Sequence, residues 1–102
     1  MDVKGKVIIV TGAASGIGRA LCRRFAKEGA KAVVAADINE AGAKAVAQEV
    51  KGEAVLCDVR KEEDIVRLAG YTEGKFGRID LFCSNAGIAV MGGYEVDNDT
   101  WQ

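Results

Sequence analysis

The sequence contains no histidine. That removes a Ser-His-Asp triad and every His-containing metal site, and no metal ligand set is expected. It contains no proline either, so there is no rigid linker and no marked domain boundary. Its three cysteines, Cys22, Cys57 and Cys83, form no CxxC pair, and an odd number argues against a closed disulfide framework. They read as small buried hydrophobes in a reducing compartment. No apolar run approaches the roughly 20 residues that span a bilayer. The apolar stretch near the start is too short for a secretory signal. With a formal net charge of −1 there is no electrostatic case for nucleic acid or a membrane as partner. Repeats and low-complexity segments are absent as well. The expectation is a soluble cytoplasmic protein of 102 residues with one small core.

What is present is a regular alternation. Four short apolar runs stand out: VIIV (7–10), AVVAA (32–36), AVLC (54–57) and IDLFCS (79–84). The first three are continuously apolar, which is how strands covered on both faces read. Helical patterns lie between them. Ile17, Leu21 and Phe25 recur at i, i+4, i+8 with Ala20 beside them, and Gly29 supplies a stop. Ala43, Val46, Ala47 and Val50 repeat the pattern before Gly52, with Asn39 placed to cap that helix. Ile65, Leu68, Ala69, Thr72 and Phe76 form a third, interrupted by Gly70 and Gly74. Strands alternating with helices predict an α/β fold, a right-handed, doubly wound parallel sheet of the Rossmann type.

The first run leads directly into TGAASGIG (11–18) and then into a helix. Gly12 suits a tight turn out of the strand. Gly16 lets backbone approach a pyrophosphate. Gly18 lets the helix pack close. The helix N-terminus then offers free N–H groups and its positive dipole end to phosphates, and Ser15 can add a hydroxyl. Asp37 directly follows the second run. An acidic residue about 20 positions beyond such a turn accepts hydrogen bonds from the adenosine ribose and repels a 2′-phosphate. NAD is therefore expected in preference to NADP. The plainer reading of Asp37 is a strand end or a cap for the next helix.

TGAASGIG, Asp37, the DV pair at Asp58 and Val59, and SNAG at 84–87 occur in the order in which they resemble the short-chain dehydrogenase/reductase family. The resemblance covers essentially the whole chain. It implies that Asp58 contacts the adenine amino group and that Val59 lines the adenine pocket. It further implies that Asn85, Ala86 and Gly87 run past the cofactor, and that Ile17 meets the diphosphate–nicotinamide side through its backbone. Ser84 departs from the family, which usually has a first Asn there. Plainer readings exist here too: Asp58 as a helix cap before RKEED, and NAG as a turn.

The family works with a Tyr and a Lys four residues apart on one helix, the ammonium lowering the phenol pKa. Tyr71 and Lys75 in YTEGK have that spacing. Their place is wrong. Ligands of open α/β sheets bind at the carboxyl ends of strands, and the end of a crossover helix lies at the opposite edge. The catalytic Ser, Tyr and Lys are expected beyond Gln102, so none is assigned. Tyr94 has no Lys after it, and NDTWQ reads as the start of a helix capped by Asp97 or Asn98. Residues 1–102 are thus read as the N-terminal portion of a single NAD-binding domain, β-α-β-α-β-α-β, ending before strand five. Strand four would have an open apolar edge. The parent would be an NAD-dependent oxidoreductase acting on an alcohol or carbonyl substrate, and a homo-oligomer is compatible with the resemblance. The alternatives are a stand-alone NAD- or adenine-nucleotide-binding module and an inactive fragment.

Overall fold

Continuous apolar strands need cover on both faces, and the fold supplies it. The computed structural model describes residues 2–84 and the backbone of residues 87–90. β1 (Val7–Thr11), α1 (Gly16–Lys27), β2 (Ala32–Asp37), α2 (Glu40–Val50), β3 (Glu53–Leu56), α3 (Glu62–Phe76), β4 (Leu81–Ser84) and β5 (Gly87–Val90) follow in order. One sheet runs β3-β2-β1-β4-β5. β1 pairs parallel with β2 and β4, and β2 pairs parallel with β3. This is the expected doubly wound parallel sheet.

Alternation along each strand divides the core. Ile8, Val10, Val33, Ala35, Leu81 and Cys83 join Cys22 of α1 and Val46 and Ala47 of α2. Ile9, Val34, Ala36 and Phe82 turn the other way and join Leu68 of α3 and Ile79. Successive side chains of a strand point to opposite faces, so a run without polar gaps feeds both layers. The fully buried Ile8, Ile9, Val10 and Val34 sit at the centre. Burying one such side chain contributes about 1.5–3 kcal/mol.

Four expectations change. The chain does not stop short of a fifth strand: Gly87–Val90 pairs antiparallel with β4, from Ser84↔Gly87 to Leu81↔Val90. The β4 edge is therefore covered rather than open. β4 itself begins at Leu81, not Ile79. Ile79 is buried, but Asp80 joins β1 through side chain as well as backbone: Val7 N–H donates to its carboxylate (2.9 Å) and Asp80 N–H donates to Val7 C=O (2.9 Å). The buried seam of α1 is Gly18 and Cys22, while Ile17 and Ala20 face outwards. Counting only large apolar side chains hid this, because the closest approach is made by the smallest residues. Finally, Asp58 does not cap α3. Lys61 occupies that position without a side-chain bond. The acidic first turn, Glu62, Glu63 and Asp64, suits the helix dipole instead. Asn39 does cap α2, its Oδ1 accepting from Gly42 N–H at 3.0 Å.

At the outer edge of the sheet, Arg67 of α3 donates to the Leu56 carbonyl (3.2 Å). Among the described residues, no helix is long and apolar enough to cross a membrane.

Candidate functional site

The carboxyl ends of β1, β2 and β3 lie side by side, and each carries a residue singled out from sequence. Gly12 leaves β1 with φ +66°, a left-handed conformation that glycine adopts without a Cβ penalty. Ser15 caps α1. Its Oγ accepts from Gly18 N–H (3.1 Å) and donates to Gly12 C=O (2.6 Å). In this structure the hydroxyl proton is directed at the turn itself. A Cβ on Gly18 would lie 2.0 Å from the Gly12 oxygen. Gly18 is required by the turn's own backbone, a closer constraint than packing on the sheet.

Gly16 is the opposite case, since a Cβ there would meet nothing within 4 Å. The N–H groups of Gly16 and Ile17 have no acceptor among the described residues, and both residues are exposed. The first turn of α1 holds no acidic side chain, while Arg24 and Lys27 stand in its last turn. The positive end of the helix dipole is thus uncompensated and open. These are the features an anion requires: unspent donors, field and room.

Asp37 ends β2 beside this turn. Its Oδ2 accepts from Ala14 N–H (2.9 Å) and its Oδ1 from Asn39 N–H (2.8 Å). Ala13 N–H adds a bond to Ala36 C=O (3.1 Å). The carboxylate is fixed against the glycine turn, and each oxygen retains lone-pair capacity for a further donor. A pair of ribose hydroxyls fits that capacity.

One strand further out, Cys57 N–H donates to Asp37 C=O (3.1 Å), which holds Asp58 at the same edge. Asp58 N–H donates to Asp64 Oδ2 (2.9 Å). Its carboxylate meets Arg60: Oδ1 accepts from the Arg60 N–H and Nε, and Oδ2 from Nη2, all at 3.0 Å. Hydrogen bonds from the Arg60 side chain and backbone hold the Asp58 pKa down to about 2. Val59 is 50% exposed, and Ile38, at the neighbouring strand end, is 58% exposed. Ile38 and Arg60 were missed from sequence. An apolar residue directly after the strand-ending Asp, and an Arg two places beyond another Asp, were the available signals. Gly87 opens β5. Asn85 and Ala86 lie outside the described residues, as do Tyr94 and the expected cap at Asp97 or Asn98.

Tyr71 and Lys75 stand at the other edge. The Tyr71 hydroxyl donates to Glu53 Oε1 (2.6 Å), and Lys75 Nζ bonds the same oxygen. Glu53 is the first residue of β3. The hydrogen bond to Glu53 raises the Tyr71 pKa, the reverse of what proton transfer near neutrality needs. The pair fastens α3 to β3. The three thiols are buried and free. Burial pushes Cys22 up to about 12 and Cys83 up to about 11, so neither is a nucleophile.

Relatives share this frame. The short chain dehydrogenase family model matches residues 6–102. The chain is 44% identical over 88 residues to tropinone reductase-like 1 of Erythroxylum coca, covering 84% of this chain and 32% of that protein. It is 45% identical over 84 residues to L-fucose dehydrogenase of Oryctolagus cuniculus, covering 81% and 29%. Among solved structures it is similar to a short chain dehydrogenase from Mycobacterium smegmatis, with TM-score 0.76, 40% identity, and coverage of 84% of this chain and 38% of that one. It is also similar to 3-ketoacyl-(acyl-carrier-protein) reductase from Brucella melitensis complexed with NADH, with TM-score 0.74, 43% identity, and coverage of 78% and 34%. The chain spans about a third of the length of the curated relatives it matches. With a family match over nearly its whole length and the sheet order and glycine turn to go with it, the chain belongs to the short-chain dehydrogenases.

Proposed function

We propose that the chain is the NAD-binding segment of a cytoplasmic oxidoreductase that interconverts an alcohol and a carbonyl compound. The observation that carries this is the pairing of an open, donor-bearing turn with Asp37 fixed against it by Ala14 N–H. Gly16 and Ile17 would bind the pyrophosphate through backbone N–H groups. Asp37 would orient the adenosine ribose and disfavour a 2′-phosphate, which is the reason to expect NAD over NADP. Asp58, Val59 and the exposed Ile38 would receive the adenine. Asn85, Ala86 and Gly87 would follow the cofactor beyond β4. Bound nicotinamide supplies or accepts hydride; these residues hold it and set which nucleotide enters. The NADH bound to the Brucella reductase supports a nicotinamide cofactor.

In the parent enzyme the substrate pocket, the catalytic Ser, Tyr and Lys and a homo-oligomer contact would lie outside residues 1–102. The described residues would therefore bind nucleotide without turning it over. Calorimetry tests this. NAD binds the wild-type chain, and Asp37→Ala weakens it about tenfold, roughly the 1.4 kcal/mol expected for lost hydrogen bonds to a charged group. Equal binding by the two removes Asp37 from the site, and tighter binding of NADP than NAD overturns the cofactor assignment.

A further inference from the structure

We propose that Arg60 limits adenine affinity by competing for Asp58, making it a specificity-determining residue of the nucleotide site. This rests on the proposed nucleotide-binding reading. The sheet edge sets out the path of the ligand. Phosphate donors stand at the end of β1, a fixed carboxylate at the end of β2, and Asp58 at the end of β3. Neighbouring strands lie about 4.8 Å apart, so successive parts of a nucleotide meet successive strand ends. A base that arrives beside Asp58 finds the exposed apolar side chains of Ile38 and Val59 nearby.

It also finds the carboxylate engaged. Arg60 takes both oxygens in a forked contact, and its own N–H takes a second position on Oδ1. Asp58 N–H is held by Asp64, whose carboxylate in turn faces Arg67 (3.3 Å), so the Asp58 backbone does not swing away. The side chain of Arg60 is 79% exposed and that of Asp58 only 12%. The guanidinium is thus the exposed partner and the carboxylate the sheltered one. A 6-amino group donates a hydrogen bond, and Asp58 is an acceptor with three of about four positions already used. The remaining position is on Oδ2, beside the Arg60 Nη2 contact, so an amino group that takes it crowds the fork and weakens or displaces it. An exposed ion pair is weak, so weakening this one costs a small factor in affinity, not the whole of it.

The test measures adenosine, purine riboside (which lacks the 6-amino group) and NAD against wild type, Arg60→Met and Arg60→Lys by calorimetry. Arg60→Met keeps an apolar stem and removes the fork. Adenosine and NAD should bind it about two- to fivefold more tightly, while purine riboside is unchanged. Raising salt weakens the exposed fork, so adenosine affinity should rise with salt in wild type and stay flat in Arg60→Met. Arg60→Lys, which cannot fork, should fall between. In Asp58→Asn the Arg60→Met gain should vanish. Unchanged or weaker adenosine binding by Arg60→Met overturns the proposal while leaving the site intact if wild type binds NAD. If wild type binds neither NAD nor adenosine, the nucleotide reading fails and the proposal falls with it. Circular dichroism of each variant separates either outcome from unfolding.

Discussion

The two edges of the sheet spend their polar groups in opposite ways. At the amino edge, Glu53 takes Tyr71 and Lys75, and Asp80 takes Val7 N–H and Arg78 Nε (2.8 Å). Glu53 ties α3 to β3, and Asp80 ties the residue before β4 to β1. At the carboxyl edge the turn is tightly made, yet Gly16 and Ile17 keep their N–H groups unspent. A Tyr and a Lys at catalytic spacing fall at the closed edge and become fasteners. Spacing on a helix puts two side chains on one face; which edge that face reaches decides what they can do.

The comparison breaks most sharply at the two glycines of the turn. Gly18→Ala should cost about 3 kcal/mol in urea or guanidinium unfolding, the upper part of the range for overpacking, even though alanine is the better helix former. Gly16→Ala, with open space around it, should leave the unfolding midpoint within about 0.5 kcal/mol and weaken NAD binding instead. If both lose stability equally, the turn is closed rather than open.

Acid and alkali should separate the edges next. Asp58 at the carboxyl edge and Glu53 and Asp80 at the amino edge all have lowered pKa values. For Glu53 the Lys75 hydrogen bond leads. For Asp80 burial pushes up, but Val7 N–H and Arg78 prevail. Their contribution is present above about pH 4, the ordinary carboxylate range. It is lost as pH falls, for Asp58 towards about 2. Tyr71 and Lys75 are raised, each chiefly by Glu53. Their contribution is present below about pH 10 and lost as pH rises beyond it. Unfolding midpoints across pH should therefore fall at both ends. Tyr71→Phe should shrink the alkaline fall and, because its hydroxyl also helps to lower the Glu53 pKa, trim part of the acid fall. At neutral pH the same substitution should cost less than about 1 kcal/mol and leave NAD affinity unchanged. A large affinity loss would put Tyr71 at the wrong edge here. Smallest of all, a thiol reagent should label Cys22 and Cys83 only on unfolding. Labelling of the native chain would contradict their burial.

Most of the frame was legible because apolar continuity is a direct demand of a two-faced sheet. β1 and β2 each extend only one residue past their predicted runs. The glycine turn was legible because strand, glycines and helix stand consecutively in the chain. Three things were not. β3 begins at Glu53, a charged residue whose acceptance of Tyr71 and Lys75 only the folded chain reveals. Of β5 only Gly87 carried a reading, as cofactor passage or as the end of a turn, and no strand was expected to follow it. Arg60 was hidden because a salt bridge two residues along leaves no periodic trace.

The contact between Arg67 and the Leu56 carbonyl has a consequence for behaviour at high concentration. β3 is the outermost parallel strand. Cys57 turns its N–H towards β2, so by alternation Ala54 and Leu56 turn their peptide groups to the outside. Arg67, Tyr71 and Lys75 recur every four residues along α3, and the first of them occupies one of those outward carbonyls. An incoming strand seeking to extend the sheet must first displace a guanidinium and then settle beside a lysine. The row that includes the false catalytic pair is a fence against templated sheet growth.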